Sequence, residues 1–310
     1  MLNILFSAQP PRWDEYAAPL NAALTKAGLT ANLSRDHAPE TVDYIVFAPN
    51  GPVTDFRPYT RTKAVMSLWA GVETVVDNPT LTQPLCKLVD PSLTDGMVEW
   101  VTGHTLRHHL GMDDHVTRQD GVWRNFIYPP VAKHRPVTIL GLGALGAACA
   151  EALHRLGFPV TGWSRSAKDI PNIRCLSGDA GLREALKDAE IVILLLPQTP
   201  ATENILNAET LALLARGAFI INPGRGPLID DDALIAALDS GQIAHATLDV
   251  FRTEPLPSDH PFWAHPALTV TPHIASSTRP ETASEVIAQN MARGEAGQRF
   301  LYLVDRSRGY

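Results

Sequence analysis

The chain has 310 residues, 45% of them hydrophobic and 19% charged, which suits a globular protein of two ordinary domains. A net charge of −7 argues against nucleic acid or an anionic membrane surface as partner. No apolar run reaches membrane-spanning length, and Met1-Leu2-Asn3-Ile4-Leu5-Phe6 lacks the length and basic flank of a signal peptide.

In chain order, residues 2–6 read as a strand and residues 13–27 as a helix stopped by Gly28. The apolar runs 44–47 and 64–68 are further strands, the second leading into Trp69-Ala70-Gly71-Val72-Glu73. Alternating strand and helix predicts a small parallel sheet. From about 94 to 118 the pattern turns helical, as a connector into a second domain, and 113–135 is polar and irregular, with Trp123 and Pro129-Pro130. His104, His108 and His109 lie on that connector; no third ligand accompanies them, so a helix packed at a domain or subunit contact is expected there and no metal. Six strand candidates then alternate with helices, at 137–140, 160–163, 191–196, 218–221, 246–250 and 268–271. Most are nearly free of polar interruption, as strands covered on both faces should be. A helical run from Pro280 through Arg293 is expected to return to the first domain. The fold class expected is α/β: a doubly wound parallel-sheet dinucleotide-binding domain at 96–278, and a smaller flavodoxin-like α/β substrate domain from 1–95 with 279–310. Cys86, Cys149 and Cys175 have no C-x-x-C spacing and read as reduced thiols, which points to the cytoplasm.

The strand at 137–140 runs into Gly141-Leu142-Gly143-Ala144-Leu145-Gly146, and a small-residue helix follows. The spacing is G-x-G-x-x-G in its strand–turn–helix context. Gly141 permits the tight turn, Gly143 lets backbone approach a pyrophosphate, and Gly146 lets helix and sheet pack closely. The helix start at Ala144, Leu145 and Gly146 offers bare N–H groups to phosphate. An acidic residue at the end of the second strand would favour NAD; here Trp163-Ser164-Arg165-Ser166 stands instead, with Lys168 nearby. Arg165 can clamp a 2′-phosphate while Ser164 and Ser166 add donors, so the cofactor expected is NADPH (NADP+).

Turns after three later strands carry Asn222-Pro223-Gly224-Arg225-Gly226, Phe251-Arg252-Thr253-Glu254-Pro255 and Pro272-His273. In a parallel sheet these turns share the carboxyl edge with the glycine loop. Arg225, Glu254 and His273 then form a coherent set: a fork for a carboxylate, a carboxylate that orients an imidazole, and an imidazole that moves a proton.

With these motifs, together with Leu248-Asp249-Val250-Phe251 and Thr271-Pro272-His273, the chain resembles the NAD(P)-dependent D-2-hydroxyacid dehydrogenases over nearly its whole length. Gly162-Trp163-Ser164-Arg165-Ser166, His260-Pro261-Phe262-Trp263 and the ending at 304–310 make it most similar to the glyoxylate/hydroxypyruvate reductase A branch. The resemblance implies catalytic roles for Arg225, Glu254 and His273, and contact of Asp249 with the nicotinamide carboxamide. It implies a substrate turn at Trp69, Ala70, Gly71 and Val72 whose amides meet the substrate carboxylate, and a homodimer in which the stretch around Trp123 reaches a neighbouring subunit. Pro197 is counted with the cofactor residues, and Phe47 and Trp69 are expected as apolar walls for a small 2-oxo acid, glyoxylate or hydroxypyruvate. Pro223 departs from the small residue usual in the family: it keeps the turn tight but removes an N–H. The rival readings are a reductase of another 2-oxo acid and, in a different class, a non-catalytic nicotinamide-sensing binding protein.

Overall fold

The computed structural model describes residues 1–125 and 128–306. The end of the C-terminal motif, 307–310, lies outside the described residues. Two compact units divide the chain: Met1–Leu93 with the residues from Ser277 on, and Thr94–Ser276.

In the first unit the elements are β1 (Leu2–Ser7), α1 (Pro10–Lys26), β2 (Ala31–Ser34), β3 (Tyr44–Phe47), β4 (Ala64–Ser67) and β5 (Leu85–Cys86). The strands form one parallel sheet in the order β2-β1-β3-β4-β5, the flavodoxin order. Alternation along the strands feeds two cores. Ile4, Phe6, Tyr44, Val46 and Met66 pack with Tyr16, Leu20 and Leu24 of α1, and with Ile287 and Met291 of the C-terminal helix Pro280–Glu295. Leu5, Ile45, Phe47 and Val65 face the other way, onto Val53, Phe56 and Leu81.

The second unit holds α2 (Pro91–His109, from Thr94), α3 (Met112–Thr117), β6 (Val137–Leu140), α4 (Ala144–Arg155), β7 (Val160–Ser164), β8 (Arg174–Ser177) and α5 (Gly178–Leu186). It continues with β9 (Ile191–Leu194), α6 (Ala208–Leu211), β10 (Ala218–Asn222), α7 (Asp231–Asp239), β11 (Ile243–Leu248) and β12 (Leu268–Val270). Its seven strands are all parallel, in the order β12-β11-β10-β9-β6-β7-β8. Chain order reverses at β6, which has β9 on one side and β7 on the other, so the switch point of a doubly wound sheet lies where the glycine loop begins. Helices cover both faces. Leu140, Val192, Leu194 and Ile220 pack with Leu186, Leu211 and Leu234, while Ile139, Ile191, Ile193 and Ile221 pack with Met97, Val101, Cys149 and Leu153.

Three strands, β2, β5 and β8, are absent from the sequence expectation, and all stand at sheet edges. An edge strand such as β2 or β8 keeps one side in water, so its sequence need not be apolar, while β5 is buried but only two residues long. The connector reading also changes. From Thr94 on, α2 is part of the sheet's cover, and its run ends at His109 because Gly111 takes a left-handed φ of 61°. Its histidines are packing groups: His108 stacks on Phe219 at 4.9 Å and bonds the Thr247 hydroxyl at 2.9 Å, and His109 stands edge-on to Phe158. Among the described residues, no group of three His, Cys, Asp or Glu could hold a metal, and no helix is long and apolar enough to cross a membrane.

Burial, followed by repulsion from neighbouring cations, pushes His108 down to about 2 and His245 down to about 4. Once unfolded, both return to about 6.5, so below that pH the unfolded chain binds more protons than the folded one. Their contribution is intact above about pH 6.5 and is lost as pH falls through about 4 and then about 2. Urea midpoints measured from about pH 7 down to about pH 4 will therefore fall, and His245→Gln, which cannot take up the proton, will flatten that slope; equal slopes contradict the assignment.

Candidate active site

The glycine loop is built by backbone contact. Gly141 has φ of 109°, and a Cβ there would lie 2.4 Å from the Leu195 carbonyl oxygen. A Cβ on Gly146 would stand 1.7 Å from the Gly141 carbonyl oxygen, so only glycine lets α4 start so close to the strand end. Gly143 is the opposite case, with no other protein atom within 4 Å of its Cβ position. That clear face lies beside the start of α4, whose first turn opens with Ala147 N–H donating to the Gly143 carbonyl at 2.9 Å. Open backbone next to unpaired helix amides is what a pyrophosphate needs, so these residues fit a dinucleotide. Gly141 N–H also donates to the Trp163 carbonyl at 2.7 Å, which ties the loop to the end of β7. There Arg165, Ser166 and Lys168 are exposed, while Ser164 is buried and its hydroxyl donates to the Ser166 carbonyl at 2.8 Å. Ser164 thus shapes the turn, and its hydroxyl proton is committed there. Pro197 follows β9, and its carbonyl takes the Thr202 hydroxyl at 2.7 Å.

Arg225, Glu254 and His273 follow β10, β11 and β12, three neighbouring strands, and so stand along one sheet edge. The Arg225 turn is folded by Asn222, buried at the end of β10: its Oδ1 accepts from Gly224 N–H at 3.1 Å and its Nδ2 donates to the Arg225 carbonyl at 2.9 Å. This Asx-type closure uses the residue after Pro223, so the proline's missing N–H is not needed. A Cβ on Gly226 would lie 2.0 Å from the Phe251 carbonyl carbon, so the Arg225 and Glu254 loops are pressed backbone to backbone.

Glu254 receives Phe251 N–H on Oε1 at 2.9 Å and meets His273 Nδ1 with Oε2 at 2.7 Å. A carboxylate only accepts, so Nδ1 carries the hydrogen and the pair leaves Nε2 to exchange a proton. The His273 side chain is 55% exposed. Its backbone is held in a left-handed φ of 55°. Asp249, 1% exposed, holds that turn: Oδ1 accepts from the Thr271 hydroxyl at 2.6 Å and Ile274 N–H at 2.9 Å, and Oδ2 from Ala275 N–H at 2.8 Å. Strain at a left-handed non-glycine costs about 1–3 kcal/mol. Each hydrogen bond to an ionised acceptor returns about 1.5–3 kcal/mol, so three of them prevail. Asn222 and Thr271 stand within the quoted motifs, but their side-chain roles are absent from the sequence expectation; the Asn-Pro pair is itself a turn signal, whereas nothing in the sequence shows that the Thr271 hydroxyl meets Asp249.

The remaining residues belong to the first unit. Trp69 is exposed, and its N–H and carbonyl both bond the Ser67 hydroxyl at 3.0 Å, which fixes the turn after β4. Val72 is buried. Among the described residues the amides of Ala70 and Gly71 donate to no backbone carbonyl. Phe47, expected as a substrate wall, is instead buried edge-on to Phe56 at 5.4 Å, because β3 turns that position into the core. It acts on the turn through its carbonyl, which accepts Leu68 N–H at 2.7 Å.

The profile of the NAD binding domain of D-isomer specific 2-hydroxyacid dehydrogenases matches residues 102–275. The chain belongs to this family. It is accordingly an NAD(P)-dependent oxidoreductase. The glyoxylate/hydroxypyruvate reductase A of Serratia proteamaculans is 38% identical, with 100% of both chains covered. A D-isomer specific 2-hydroxyacid dehydrogenase from Xanthobacter autotrophicus Py2, solved with NADPH and MES, is 40% identical with a TM-score of 0.91 over 99% of each chain. The NADPH-dependent glyoxylate/hydroxypyruvate reductase of Sinorhizobium meliloti, solved with NADP and sulfate, is 32% identical with a TM-score of 0.87 over 100% of each chain.

Proposed function

We propose that this dehydrogenase reduces small 2-oxo acids, glyoxylate and hydroxypyruvate, with NADPH. The observation that carries the reading is the His273–Glu254 pair, with Nδ1 held by the carboxylate and Nε2 left to donate. The unit 94–276 binds the dinucleotide, with the pyrophosphate on Gly143, Ala144, Leu145 and Gly146 and the 2′-phosphate on Arg165 and Ser166. Bound NADPH supplies the hydride to the substrate's carbonyl carbon. His273 gives its Nε2 proton to the oxygen as negative charge develops there, and the Glu254 carboxylate stabilises the imidazolium before transfer. The Arg225 guanidinium holds the substrate carboxylate. Asp249, with three of its acceptor positions on the His273 turn, keeps one for the nicotinamide carboxamide.

The relatives named as glyoxylate/hydroxypyruvate reductases support the substrate class, and those solved with NADPH or NADP support the cofactor. The protein works in the cytoplasm, a reading supported by its unpaired cysteines, of which Cys149 is pushed up to about 12 by burial and is inert. It is a homodimer joined through the stretch after α2, where Met112, Val116, Val122, Trp123, Tyr128 and Val131 are exposed, Trp123 by 88%. A monomer by sedimentation would overturn that assembly.

His273→Ala is expected to lower kcat for glyoxylate or hydroxypyruvate by about 10²–10⁴-fold while the Kd for NADPH stays within about twofold. Near-normal turnover by that variant rules out His273 as the acid. Arg165→Ala is expected to raise the KM for NADPH about tenfold or more and to leave NADH nearly unchanged, since the 2′-phosphate is what distinguishes the two coenzymes. An equal effect on both coenzymes contradicts the placement of Arg165.

A further inference from the structure

We infer that Thr271 is a positioning residue for His273, acting through the buried Asp249 carboxylate. The inference rests on the reading of His273 as the proton donor. Asp249 grips the backbone on both sides of the histidine: its own carbonyl accepts His273 N–H at 2.8 Å, and its carboxylate takes Ile274 N–H and Ala275 N–H just beyond. The remaining contact, from the Thr271 hydroxyl at 2.6 Å, is the one made by a side chain, two residues before His273. It ties the turn to the carboxylate from the other side, before His273. With both ends held, His273 keeps its left-handed backbone and its ring reaches Glu254 Oε2 at 2.7 Å.

Without the Thr271 hydroxyl, Oδ1 and Oδ2 keep Ile274 N–H and Ala275 N–H, but the N-terminal side of the turn is no longer tied to the carboxylate. The turn relaxes, and the direction of Nε2 relaxes with it. Proton transfer is sensitive to displacements well below the size of an atom, so the loss falls on turnover. Substrate binding is spared, because the Arg225 turn is closed separately by Asn222.

The test is Thr271→Val, which keeps the shape and removes the donor, set beside Thr271→Ser, which keeps the donor. The valine variant is expected to lower kcat about 10-fold to 100-fold with the KM for the 2-oxo acid within about twofold, and the serine variant to restore most of it. In the protein without cofactor, the ring nitrogen resonances of His273, assigned by their loss in His273→Ala, should shift in Thr271→Val and return in Thr271→Ser. Unchanged kcat in Thr271→Val while His273→Ala abolishes turnover overturns the inference and leaves the proposed function standing. Should His273→Ala retain turnover, that function falls, and the resonances decide the positioning: a shift upholds it and no shift ends it. If the valine variant does not fold, Thr271→Cys replaces it as a weak donor, and turnover equal to that of Thr271→Ser overturns the inference.

Discussion

Close approach of backbone to backbone along the carboxyl edge of the seven-stranded sheet is the constraint on which the rest depends. Gly141 sits on Leu195, Gly224 on Leu194, and Gly226 on Phe251, each at a distance that leaves no room for a Cβ. A parallel sheet delivers every strand's exit to one edge, but side chains would normally hold neighbouring exits apart. Glycine removes that barrier at three successive contacts, between the exits of β6 and β9, of β9 and β10, and of β10 and β11. The glycine turn, the Arg225 turn and the Glu254 loop are thereby packed in series, and Asp249 carries the series on to His273 through hydrogen bonds.

The same residue type serves two ends in this unit. His108 and His245 lie against aromatic rings and threonine hydroxyls, where burial keeps them uncharged and they act as packing groups. His273 is exposed, its Nδ1–H is directed at a carboxylate, and its other nitrogen remains for chemistry. Surroundings, and not residue type, separate a structural histidine from a working one. A similar division holds for the buried polar residues at strand ends. Asn222 and Asp249 spend most of their hydrogen bonds folding the turns that present Arg225 and His273.

Much of this could be read from the sequence because it depends on local signals. The apolar runs of β6, β9 and β10 follow from burial on both faces, and Gly141, Gly143 and Gly146 carry their own geometry in their spacing. That Arg225, Glu254 and His273 stand along one sheet edge follows from their positions after parallel strands. What could not be read depends on the third dimension. Edge strands such as β8 have no apolar signature, and Phe47 looks like any aromatic at a strand end until the pleat turns it inward. Thr271 and Asn222 owe their parts to partners set by folding and not by spacing, and the Ser164 hydroxyl, a donor to ligand by its place in the sequence, is used by the turn itself.

The central claim is that His273 and Glu254 act as one unit on the proton, and a double-mutant cycle on kcat for glyoxylate reduction with NADPH tests it most directly. His273→Ala, Glu254→Gln and the double variant are compared at one pH with saturating cofactor. If the carboxylate works through the imidazole, the double variant loses no more than His273→Ala alone. Losses that multiply, each variant lowering kcat by the same factor whether or not the other is present, would contradict the account.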